Sequence, residues 1–317
     1  MRPTARGTSL GLILAGLLAS APLALAAEPE SCGTVRFSDV GWTDITATTA
    51  TASVVLEALG YKTDIKILAV PVTYTAMANG DIDVFLGNWM PTMEADIAPY
   101  REKGTVETVR ANLQGAKYTL AVPKYAYDAG LKSFADIAKL KDQLGGKIYG
   151  IEPGNDGNRL ILKMIQDDAF GLKGFDVVES SEQGMLSQVQ RLVKRKEPIV
   201  FLGWEPHPMN KNIEMAYLAG GDDYFGPDLG GATIYTNTRK GYAKECPNVG
   251  KLLANLEFSL AMENAVMGGI LDEGKDGKVA AKAWLQASPQ AWAPWLQGVQ
   301  TRAGGDGQAA VKAALGG

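Results

Sequence analysis

The chain has 317 residues, 46% of them hydrophobic and 21% charged, and a formal net charge of −4. That length holds one large or two ordinary domains, and the composition is that of a chain with real cores rather than a disordered one. A mildly acidic balance argues against general nucleic-acid binding, which needs a basic face.

In chain order, Arg2 and Arg6 precede an apolar stretch, SLGLILAGLLASAPLALAA, rich in small residues. Ala24-Leu25-Ala26 fits a small-x-small cleavage site with Ala27 or Glu28 as the new N-terminus, so residues 1–27 read as a secretory signal peptide. A retained membrane anchor is the alternative, and Pro22 and the small residues weigh against it. Cys32 lies beyond Glu28 and Glu30, too far from the apolar run for a lipoprotein anchor. No later apolar run is long enough to span a bilayer, so the mature chain is expected to be soluble and exported. Its two cysteines, Cys32 and Cys246, then suit either one disulfide or two buried thiols.

Strand and helix patterns alternate from there. TVRFSDV is expected as a strand, ITATTATASVVLEALG as a helix stopped by Gly60, KTDIKILAV as a strand, VTYTAMAN as a short helix and DIDVFLG as a third strand. The pattern resets near Gln114–Ala116. YTLAVP (strand), LKSFADIAKLKDQL (helix), GKIYGIE (strand), RLILKMIQDDAFGL (helix), FDVVES (strand), QGMLSQVQRLVKRKE (helix) and PIVFLGW (strand) follow, before a helical C-terminal section. This order implies parallel sheets flanked by helices. The reset divides the chain into a discontinuous lobe, 28–113 plus 237–317, and an inserted lobe, 114–236. Two strands near Asn112–Tyr118 and Ala232–Thr238 would cross between them. The cleft would lie at the carboxyl ends of the two sheets, where open α/β folds place ligands.

Three tryptophans share one context: Trp42 after TVRFSDVG, Trp89 after DIDVFLGN and Trp204 after PIVFLG. The preceding glycines are expected to turn the backbone sharply out of the sheet, presenting each indole at the cleft, with Tyr118 facing the same space. A single aromatic at a strand end is ordinarily a core cap, and Trp284, Trp292 and Trp295 are read as packing residues of the helical tail. Three in one position of a repeated unit point instead to a ligand with an affinity for ring faces, either stacked sugars or a quaternary ammonium. Ring faces attract a diffuse cation at about 0.5–2 kcal/mol each. Asp44 in GWTD suits a first-turn acid of a helix, and also a counter-charge and acceptor for a ligand hydroxyl. Asn155 in PGNDGN suits a turn, or a second polar contact.

GWTD, FLGNWMP, GAKYTLAVP, PGNDGN and FLGWEPHPMN together resemble the choline-binding periplasmic substrate-binding proteins of bacterial ABC importers, part of a wider quaternary-ammonium and glycine betaine family. The resemblance covers essentially the whole mature chain. It implies a two-lobed α/β periplasmic-binding-protein fold (Venus flytrap, type II) with two hinge-crossing strands. It also implies an aromatic box of Trp42, Trp89, Tyr118 and Trp204, hydroxyl contacts from Asp44 and Asn155, and a Cys32–Cys246 disulfide. The expected protein is a periplasmic monomer without enzyme activity, catalytic residue, cofactor or metal, whose partners are choline and an inner-membrane permease. Acetylcholine or betaines would bind more weakly. A glycine betaine or proline betaine carrier is the near alternative, and Asp44 disfavours it because a betaine carboxylate would be repelled. An exported hydrolase is the distant one: His207, the one histidine, sits between two prolines and reads as structural, and no GxSxG motif, metal-spaced cluster or phosphate loop is present in the mature chain after residue 27.

Overall fold

The computed structural model describes Met1 and residues 28–316; the expected signal peptide lies outside the described residues. Nine strands, β1 (Thr34–Asp39), β2 (Lys62–Ile67), β3 (Val84–Met90), β4 (Val106–Pro123), β5 (Lys147–Tyr149), β6 (Asp176–Val178), β7 (Phe201–Glu205), β8 (Met215–Tyr217) and β9 (Gly231–Arg239), run in the order β2-β1-β3-β9-β4-β7-β5-β6, with β8 beside β4. The outer strands on each side pair parallel, β2-β1-β3 in one lobe and β7-β5-β6 in the other. The long strands β4 and β9 pair antiparallel and carry the chain from one lobe to the other. Helices cover the faces, and no helix among the described residues is long and apolar enough to cross a membrane.

At the expected reset, Gln114–Ala116, the chain continues as a single bulged strand, where a lobe-crossing strand was expected. β4 runs through it as one strand of 18 residues, with register shifts against β9 between Ala111 and Leu113 and between Leu113 and Ala116. Bulges bend and twist a strand without ending it, so alternation of side chains is lost locally while the backbone continues. Asn112 fastens this crossing: its Nδ2 donates to the Leu86 carbonyl of β3 (2.9 Å) and to Thr236 Oγ1 of β9 (3.0 Å). The expected helix in LKSFADIAKLKDQL is likewise reduced, to a turn at Phe134–Ile137 and a 3-10 turn at Ala138–Leu140. Ser133 and Asp136 start it with a reciprocal capping pair, but only Phe134 and Ile137 in that turn are buried, too few apolar anchors to hold a longer helix against the core.

Helix α1 (Thr43–Ala58) is buried on almost every side, which explains its threonine load. Small and β-branched side chains let neighbouring helices approach, and hydroxyls of Thr48 and Thr51 satisfy themselves on carbonyls one turn back, Thr51 Oγ1 to Ala47 O at 2.8 Å. Gly277 packs so tightly on this helix that a Cβ there would lie 3.2 Å from Thr46 Cγ2.

Cys32 and Cys246 are fully buried and joined, with Cα atoms 5.6 Å apart and a sequence separation of 214. The bridge ties the start of β1 to the C-terminal section. Closing so long a loop restricts the unfolded chain strongly, by about 2–5 kcal/mol. A C32S/C246S double variant should therefore unfold at lower urea concentration by that free energy, while retaining the wild-type fold by circular dichroism.

Candidate functional site

The cleft between the lobes closes over a small cavity lined by Trp42, Asp44, Trp89, Tyr118, Ile151, Asn155, Asp156 and Trp204. Trp42 and Asp44 come from the entry into α1, where Gly41 takes a left-handed backbone (φ 83°) to turn the chain out of β1. Trp89 belongs to β3, Tyr118 to β4 and Trp204 to β7, so both lobes contribute rings. None of the four rings is more than 6% exposed. Trp89 and Tyr118 have centroids 6.0 Å apart with planes at 63°, and Tyr118 and Trp204 6.3 Å apart at 80°. Rings tilted in this way converge on one small volume; they do not form the flat platform that a sugar ring would need.

Gly87 and Gly203 have a different role from the one expected. Neither has a positive φ, and Trp89 and Trp204 lie within their strands rather than after them. A Cβ at Gly87 would meet Ile45 Cδ1 at 2.6 Å, and one at Gly203 would meet Ala121 Cβ at 2.8 Å. These glycines make room for close packing beneath the site. Gly157 serves Tyr118 in the same way, since a Cβ there would fall 2.1 Å from its hydroxyl.

The polar side chains of the cavity are almost all acceptors. Trp89 Nε1 donates to Asp44 Oδ2 at 3.0 Å, leaving the buried Asp44 Oδ1 without a partner. Asp156 Oδ2 is also buried and unpartnered. Trp42 Nε1 reaches across the cleft to Glu152 Oε1 at 2.9 Å. Asn155 caps the helix Asp156–Gln166: its Oδ1 accepts from Asn158 N (3.1 Å) and from the Tyr118 hydroxyl (2.8 Å). Its Nδ2 faces Asp156 Oδ1 at 3.2 Å. Burial, with the charge of Glu182 adding to it, pushes the Asp44 carboxyl up to about 8. Burial likewise lifts Glu152 to about 7 and Asp156 to about 6.

A profile of the substrate-binding domain of ABC-type glycine betaine transport systems matches residues 33–287. The chain belongs to this family. Among solved structures it is similar to an ABC-transporter choline binding protein in complex with choline, at 70% identity and a TM-score of 0.90 over 91% of this chain and all of that one. An ABC-transporter choline binding protein in an unliganded semi-closed conformation is similar at 70% identity and a TM-score of 0.83, over 90% of this chain and all of that one. Lactococcal OpuAC, closed around glycine betaine, matches at 28% identity and 0.75, over 83% of this chain and 98% of that one. The two-lobed fold and a role in substrate binding for an ABC importer, outside the cytoplasm, follow; family members and these neighbours are transport binding proteins rather than enzymes.

Within this family frame, all six residues expected in the site line one cavity. Sequence reasoning passed over Ile151 and Asp156. Asp156 had a visible signal, an acid directly after Asn155 in PGNDGN, but a first-turn acid is so common that it attracted no notice. Arg159 and Lys117 turn away from the cavity. Arg159 pairs with Asp96 across the lobes at 2.7 Å, and Lys117 Nζ lies 5.9 Å from the centre of the Tyr217 ring. His207 is buried and bonded to Glu182 rather than lining the site.

These shifts carry a stability consequence. A carboxyl whose folded value lies above that of the unfolded chain, about 3.9 for aspartate, binds an extra proton when folded, so stability falls as pH rises between the two values. For Asp44 that window runs from about 4 to about 8. In the closed form the protein should therefore lose stability from pH 5 to pH 8, and D44N should reduce that loss by about 1–3 kcal/mol, as read from denaturant unfolding at the two pH values.

Proposed function

We propose that this protein captures choline in the cavity between its lobes and delivers it to the permease of an ABC importer. It acts in the periplasm as a monomer after removal of residues 1–27. The lobes divide as 28–113 plus 237–317 and 114–236. The observation that carries the choline reading is the lining itself: four aromatic rings and two carboxyls, with no Lys or Arg among them. A trimethylammonium group donates no classical hydrogen bond, so ring faces are its best partners. Four rings at about 0.5–2 kcal/mol each amount to several kcal/mol when water is excluded.

The polar end has matching chemistry. Asp44 Oδ1, free of any partner, accepts a hydrogen bond from the choline hydroxyl, and Asn155 Nδ2 donates to the hydroxyl oxygen. A betaine places a carboxylate there instead. It would meet unpartnered oxygens of Asp44 and Asp156, and the nearby cations are turned elsewhere, Arg159 to Asp96 and Lys117 to Tyr217. Like charges in a desolvated site disfavour binding strongly. The site therefore selects against betaines chiefly by repulsion.

Because rings come from both lobes, the ligand makes its full contacts only in the closed form and shifts the population towards it. Calorimetry should show choline binding at least tenfold tighter than glycine betaine, and tighter betaine binding would overturn the assignment. W42A and W204A should each weaken choline by about tenfold or more, with unchanged circular dichroism; undiminished affinity in either would remove that ring from the box.

A further inference from the structure

Helix α1 begins without a side-chain cap of its own, since Trp42 at its N-cap position makes no capping bond. The acceptor comes from the other lobe. Glu182, the first residue of the helix Glu182–Arg195, accepts from Thr43 N on Oε2 at 2.9 Å and from Thr43 Oγ1 on Oε1 at 2.5 Å. Its carboxylate thus sits between the N-terminal ends of two helices, where both dipoles favour negative charge. The same Oε1 lies 3.1 Å from His207 Nε2. Met209 N donates to His207 Nδ1 at 2.9 Å, which leaves Nε2 as the protonated nitrogen and so the donor to Glu182. The His207 ring packs against Trp204, centroids 5.0 Å apart at 67°. The side chains of Glu182 and His207 are at most 1% exposed.

We infer that Glu182 is the interlobe latch of this protein: it caps α1 in trans only when the lobes are closed, and His207 ties it to the Trp204 wall of the box. This inference rests on the proposed capture of choline. Glu182 is not among the residues that line the cavity, so it acts by position, holding the closed form rather than the ligand. Its charge also bears on Asp44, which it helps to keep protonated. Closing an empty cleft therefore brings two acids together, while a bound cation offsets them. The latch thus favours closure over a cation in particular.

The test compares wild type, E182Q and T43V for choline affinity by calorimetry, choline dissociation by stopped-flow tryptophan fluorescence, and melting with and without choline. In E182Q an amide N–H faces donors that need an acceptor. Affinity should fall about 10–100-fold, mainly through faster dissociation. T43V, which keeps the carboxylate and loses one donor, should fall about 3–10-fold. Melting of the ligand-free variants should match wild type, while the rise produced by choline shrinks. Wild-type affinity and dissociation in both variants would overturn the latch alone, as would an equal loss of melting temperature with and without choline. Failure of the wild type itself to bind choline would overturn the proposed function and the latch with it.

Discussion

A carboxylate enclosed by aromatic rings, with one oxygen held by an indole N–H and the other left open, is an unfinished electrostatic arrangement. Asp44 is in that position, and the rest of the molecule is organised around it. Burial drives its carboxyl towards the neutral form, and only a cation brought into the same enclosure restores the charged one. The rings of Trp42, Trp89, Tyr118 and Trp204 exclude water and offer their negative faces to the same point. An enclosure of this kind binds by charge in a low-dielectric space, where each weak contact counts for more than it would in water.

The fold supplies such an enclosure by dividing it. Parallel half-sheets deliver their strand ends to a common cleft, and β4 and β9 hold the halves together while allowing them to face one another. Beyond the facing rings, polar contacts also join the lobes: Trp42 to Glu152, Asp96 to Arg159, and Thr43 to Glu182. Two of these use residues adjacent to the box, so ring placement and closure are one event. Arg159 shows how selectivity and closure share residues: a cation spent on an interlobe ion pair is a cation withheld from any carboxylate ligand.

Much of this was legible in the sequence because the relevant signals are local. Strand-to-helix alternation and a Gly or Gly-Asn before each of three tryptophans are short-range patterns, and the short motifs GWTD, FLGNWMP, GAKYTLAVP, PGNDGN and FLGWEPHPMN carry all six residues that the cavity assembles. What stayed hidden depends on partners far along the chain. Gly87 and Gly203 look like turn glycines until Ile45 and Ala121 are seen pressing on them. The bulge in β4 looks like a boundary because alternation fails there. Glu182 and Asp156 look like ordinary first-turn acids, and only tertiary structure shows that one caps a helix of the opposite lobe and the other lines the cavity.

The central claim is that positive charge, rather than shape or the hydroxyl, is what this cavity holds. The most direct measurement is a calorimetric comparison of choline with its uncharged isostere, in which carbon replaces the ammonium nitrogen. Shape, apolar area and hydroxyl are the same in both. The account predicts that the isostere binds about a hundredfold or more weakly, the loss of several kcal/mol of ring–cation attraction. Comparable affinity for the two would contradict it.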